Sequence, residues 1–83
     1  MFDKQRRTVT IDGQDVVLVE LSAGNFVAIN AEQDDEQSGL MLLMRSIESP
    51  KVTLEDVQDW PNRIATELLA EVFELNRLNA DPN

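Results

Sequence analysis

Ser49-Pro50-Lys51-Val52-Thr53-Leu54-Glu55-Asp56-Val57-Gln58-Asp59-Trp60-Pro61 is the stretch that decides the fold, because its punctuation fixes one helix end and two helix starts. Proline drives the residue before it out of the helical region, so Ser49-Pro50 closes the helix that precedes it. Thr53-Leu54-Glu55-Asp56 has the spacing of a capping box, with Asp where Glu or Gln is usual. Val52 and Val57 stand at the two positions of a hydrophobic staple around that cap. The short helix runs to about Trp60. Pro61 suits the first residue of the next helix, where a missing N–H is no loss.

Downstream, residues 62–79 read as one long amphipathic helix. Ile64, Ala65, Leu68, Leu69, Val72 and Leu75 share a broad face, with Phe73 and Leu78 at its margins. Arg63, Thr66, Glu67, Ala70, Glu71, Glu74 and Arg77 make the other side. Arg63 with Glu67, and Glu74 with Arg77, have spacings that add a few tenths of a kcal/mol to a helix. Residues 80–83 form a polar tail. Upstream, residues 35–48 read as a helix with Asp34 or Asp35 as its N-cap, and its acidic start suits the helix dipole. Leu40, Leu43, Met44 and Ile47 make its apolar stripe, while Met41 and Leu42 point away. A helix apolar on most sides is either central to a fold or offers a patch to a partner.

The N-terminal part has the other period. Thr8-Val9-Thr10-Ile11 alternates, Asp12-Gly13 is a strong hairpin signal, and Val16-Val17-Leu18-Val19-Glu20-Leu21 is a second β-rich run. Whether the loop holds two residues or four, Val9, Ile11, Val16 and Leu18 share one face. Val17, Val19 and Leu21 lie on the other, which needs cover because an isolated hairpin is marginal in water. Residues 1–6 read as a flexible terminus, and the basic cluster of Lys4, Arg6 and Arg7 as solvated. Ser22 can cap a helix after the hairpin. The segment Phe26-Val27-Ala28-Ile29-Asn30-Ala31-Glu32 stays open between strand and helix. Phe26 and Trp60 are expected in the core. The fold expected is α+β: an N-terminal β-hairpin, residues 7–21, packed on a small bundle of three to four helices, residues 22–79, in a single domain.

Composition limits the chemistry. A chain of 83 residues buries roughly 60% of the surface it exposes when unfolded, which leaves little stability in reserve. It has no Cys and no His, so a disulfide framework, a thiolate metal site and a Ser-His triad are all excluded. Its three glycines form neither a P-loop nor a dinucleotide fingerprint. The acids Asp34, Asp35 and Glu36 lack the spacing of a Ca²⁺ loop. No catalytic residue, cofactor or metal is expected. Seven Lys+Arg against sixteen Asp+Glu give a net charge of −9, which opposes nucleic-acid backbones and anionic membranes. The longest apolar run, Leu40 to Met44, falls far short of the roughly 20 residues of a membrane span. With no secretion signal read at the start, the cytoplasm is the expected compartment.

Leu21-Ser22-Ala23-Gly24-Asn25-Phe26, Ile47-Glu48-Ser49-Pro50, Thr53-Leu54-Glu55-Asp56-Val57 and the close on Glu74-Leu75-Asn76 together resemble the tail assembly chaperones of long-tailed bacteriophages and prophages. The hairpin at Thr8-Val9-Thr10-Ile11-Asp12-Gly13 suits several members. The resemblance is one of layout and covers about two-thirds of the chain. It implies a non-enzymatic protein that binds the long helical tape measure protein, keeps it soluble and helps recruit tail tube subunits. It also favours a helix at residues 26–32. Self-association stays open. Met41, Leu42, Phe73 and Leu78 are the apolar residues least committed to the expected core, hence the candidate partner-binding residues. Replacing Met41 and Leu42 by Asp is then expected to abolish binding and spare the fold. The alternative is an acidic nucleic-acid mimic or inhibitor that fills a basic groove of a host protein; a permanent structural subunit is a third reading.

Overall fold

The computed structural model describes residues 2–31 and 34–77. Strands β1 (Arg6–Ile11) and β2 (Gln14–Val19) are followed by helices α1 (Ala23–Asn30) and α2 (Asp35–Ser46). Strand β3 (Ile47–Ser49) and helices α3 (Leu54–Gln58) and α4 (Asn62–Asn76) complete the order. The architecture is α+β, as expected, with the N-terminal hairpin and four helices. The hairpin belongs to a three-stranded antiparallel sheet, with β2 in the middle.

Ile11 pairs with Gln14, so the hairpin loop is Asp12-Gly13 alone. Both loop residues take positive φ, 50° and 77°, as a type I′ turn requires, and that turn matches the twist of the flanking strands. Ile11, Val16 and Leu18 are buried on one face and Val9 packs beside them, as the alternation requires. Val17 and Val19 are half-buried on the other face, outside that core. Leu21, beyond the end of β2, turns in to pack on the core. The chain start is less free than expected: Gln5 extends the ladder by accepting from the Glu20 N–H at 3.0 Å, and Arg6 already belongs to β1.

The helix expected over residues 35–48 stops at Ser46, before Ser49-Pro50 takes effect. Ile47 is β-branched, and it gains more by pairing with Leu18 on the open edge of β2 than by adding a further turn. With β3 beside β2, Phe26 to Asn30 stays out of the sheet, and as a helix it satisfies its own backbone. Ser22 caps this helix by accepting from the Asn25 N–H at 3.0 Å. Asp34 caps α2, accepting from the Glu36 and Gln37 N–H groups. The capping box of α3 is complete: Asp56 N–H donates to Thr53 Oγ1 at 3.1 Å, and Thr53 N–H to Asp56 Oδ2 at 2.9 Å. Pro61 sits one place earlier than expected, as N-cap of α4, which ends on a left-handed Arg77.

A single apolar core joins the layers. It holds Leu18 of β2, Leu42 and Leu43 of α2, Ile47 of β3, Val57 of α3, and Leu68, Val72 and Leu75 of α4. The expected stripe is borne out only in part: Leu43 and Ile47 are buried, but so are Leu42 and Ser46, while Leu40, Met41 and Met44 pack at the margins. Ser46 can be buried because its hydroxyl donates to the Leu42 carbonyl at 2.8 Å, one helical turn back.

Leu42→Asp would place an unpaired carboxylate in this core and is expected to cost about 3 kcal/mol or more, enough to abolish a cooperative thermal transition followed by circular dichroism. Thr53→Ala removes half of the capping box and is expected to cost about 1 kcal/mol, lowering Tm by about 4–8 °C in the same experiment.

Candidate protein-binding surfaces

The four residues named as partner-binding candidates do not form one exposed patch. Leu42 is 7% exposed and belongs to the core. Met41 and Phe73 are half-buried against it, and Leu78 lies outside the described residues. α2 carries apolar residues on several sides, so their spacing alone does not fix which side is buried, and Leu42 lies inward. Phe26 is also not where it was expected. It is 37% exposed, and its neighbour Val27 is 66% exposed.

These two belong to an outward-facing side of α1 whose apolar members are Ala23, Phe26 and Val27. Ala23, Phe26, Val27 and Asn30 follow the i, i+3, i+4, i+7 spacing of a single helix side, and all four are exposed. Ile29 is the one residue α1 buries. Polar ties to α2 supplement it: Arg45 donates to Asn25 Oδ1 at 2.7 Å, and the Ser38 hydroxyl donates to the Ile29 carbonyl at 3.3 Å. Beside the stripe lies a cleft of about 280 Å³ lined by Glu20, Leu21, Ser22, Ala23, Phe26 and Asn76. Asn76 shapes it, accepting from the Leu21 N–H at 2.9 Å and donating to the Val72 carbonyl at 2.9 Å. The sequence carried a signal for this surface in the adjacent Phe26 and Val27, which was unreadable while the segment stayed open between strand and helix.

A second concavity lies at the other end of β2 and α4. Gln14, Pro50 and Trp60 are common to its two adjoining parts. The outer part, of about 720 Å³, is further lined by Val52, Glu55, Asp56, Gln58 and Asp59. The inner part, of about 210 Å³, is further lined by Ile11, Asp12, Val16, Pro61, Ile64 and Leu68. Trp60 is half-buried between them. The walls are held locally: the capping box orients α3, and the Trp60 N–H donates to the Val57 carbonyl at 3.2 Å. Arg63 forks onto Asp12 at 3.0 and 2.8 Å, tying the start of α4 to the hairpin turn.

The charged residues are arranged across elements rather than along helices. Arg63 reaches Asp12 instead of its expected helical partner Glu67. Arg7 takes both Glu71 at 2.8 Å and Glu74 at 3.1 Å, which draws Glu74 away from Arg77. Arg6 of β1 meets Glu48 of β3 at 2.7 Å, across the outer face of β2. Arg6 and Arg7 are therefore bridged, not simply solvated. The hydrogen bonds from Arg63 and Arg6 hold the Asp12 and Glu48 carboxyls below the usual carboxylate range. Among the described residues no group of three or more acidic side chains is placed to hold a metal ion. No protein family, curated protein or solved structure matches the chain.

Because the folded pKa values of Asp12 and Glu48 are depressed, their contribution to stability is present at neutral pH. It is lost as pH falls below about 4 and passes through those folded values. An Arg6→Gln/Arg63→Gln variant is expected to be less stable than the parent at neutral pH and to converge with it in acid, as read by urea unfolding at a series of pH values.

Proposed function

We propose that this protein is a non-enzymatic tail assembly chaperone of a long-tailed bacteriophage or prophage, working in the host cytoplasm. It covers an apolar helical stripe of the tape measure protein and helps recruit tail tube subunits. The observation that carries this reading is the exposed stripe of Ala23, Phe26, Val27 and Asn30 on α1. A small domain with little apolar surface to spare leaves Val27 and part of Phe26 facing water beside a cleft, which gives a partner an apolar surface to cover. A helix laid against a helix is the simplest way to cover such a stripe, and amphipathic partners are read through i, i+3, i+4, i+7 anchors.

The partner must be bound and then released, so the contact has to be modest. α1 is only two turns long, so a contact made through one of its sides is small. The net charge of −9 keeps free copies apart while the stripe is uncovered. Among the described residues no helix is long and apolar enough to cross a membrane. The rival reading as a nucleic-acid mimic needs carboxylates free and arrayed on one face. Here Asp12, Glu48, Glu71 and Glu74 are held by arginines, and Asp34 and Asp56 cap helices.

Co-expression with the tape measure protein of the same tail gene cluster tests the proposal. The parent chain is expected to raise the soluble fraction of that protein and to co-purify with it at high salt. A Phe26→Asp/Val27→Asp variant is expected to lose both effects while keeping its Tm within a few degrees, since these side chains face solvent. An unchanged soluble fraction with the parent chain would contradict the reading. Capture of a nucleic-acid enzyme in a salt-sensitive way would favour the mimic.

A further inference from the structure

We propose that the groove around Trp60 is a second docking site, and that its occupant is a basic segment of a partner protein carrying one large apolar side chain. The proposal does not depend on the phage reading. It concerns a different surface: the α1 cleft touches α4 at Asn76 and the groove touches it at Ile64 and Leu68. Those positions are about 12 to 18 Å from Asn76 along the helix.

Two properties of the groove select its occupant. The first is the division between floor and rim. The inner recess is walled by Ile11, Val16, Ile64 and Leu68 and opens beside Trp60. At about 210 Å³ it exceeds the roughly 150 Å³ apolar cavity known to admit benzene, so an aromatic or branched aliphatic side chain fits. The second is the sign of the charge. Glu55, Asp56 and Asp59 line the outer part, and neither lining includes a Lys or Arg among the described residues. Asp12 is paired with Arg63 and Asp56 serves the cap of α3, which leaves Glu55 and Asp59 to carry the charge. Glu55 and Asp59 are exposed at the rim of the outer part, where cations flanking an apolar anchor would lie. Complementary charge of this kind steers encounter and fixes register.

The same charges reject other occupants. A nucleic acid or an acidic peptide would meet like charge. A second copy of this chain carries a net charge of −9 and would meet like charge. A basic segment with one apolar anchor satisfies both floor and rim.

Trp60 is the single Trp of the chain, so its indole resonance reports directly on the groove. The experiment is a nuclear magnetic resonance titration of the ¹⁵N-labelled full chain with a short synthetic peptide, one Phe flanked on each side by Lys and Arg. Controls replace the Phe by Ser, or the basic residues by Glu and Asp. Saturable shifts are expected at the Trp60 indole and at Val52 and Glu55, with both controls weaker by about tenfold or more. Glu55→Lys/Asp59→Lys is expected to weaken binding by about tenfold. Asp35→Lys/Glu36→Lys, the same charge change away from the groove, is expected to change it by less than about twofold. A silent Trp60 indole, shifts that follow carboxylates over the whole surface, or equal damage from both charge reversals would overturn the proposal.

Discussion

Leu18 of β2 faces Ile47 of β3 across the sheet, and both are buried in the core that α2 and α4 also line. This pairing sits one residue beyond the end of α2, so it fixes where a helix layer turns into a sheet. It places Leu42, Leu43 and Ser46 inward and directs the chain through Ser49-Pro50 into the cap of α3. It also fills the open edge of β2. The segment after the hairpin lies outside the sheet as a helix, held by little more than Ile29 and two side-chain ties, and so keeps one side exposed.

The molecule therefore divides into a well-anchored body and a lightly attached helix. Leu18, Leu43, Leu68 and Val72 are wholly buried, whereas α1 contributes a single buried side chain. Ion pairs outside the core fasten the body at its margins. Arg7 joins β1 to the last turns of α4, and Arg63 joins the first turn of α4 to the hairpin turn. Both candidate surfaces lie where these fastened parts end, one near Asn76 and one near Trp60.

What could be read in the sequence was local. The period-two strands, the Asp12-Gly13 turn, the Thr53 to Asp56 capping box and the broad face of α4 each declare themselves within a few residues. The rest depended on contacts between distant segments. Ile47 reads as helical from its neighbours alone and becomes a strand residue only with Leu18 opposite it, and Phe26 to Asn30 has propensities that suit strand and helix alike. Leu42 was misplaced because α2 is apolar on several sides, so periodicity alone could not orient it. A hydrophobic count also passes over Ser46, whose hydroxyl serves itself from the preceding turn. Trp60, expected in the core, is half-buried. Its groove needs the hairpin turn beside α3, which no local pattern encodes.

The central claim is that α1 meets the partner while the body behind it stays intact. Amide hydrogen exchange of the chain, free and in complex with the tape measure protein, tests it most directly. Exposed backbone with few buried contacts exchanges early. In the free chain the amides of α1 are expected to exchange well before those of β2 and α4, and on binding the gain in protection is expected across residues 23–30. Protection of α1 in the free chain equal to that of α4, or a complex that leaves residues 23–30 unchanged, would contradict the account.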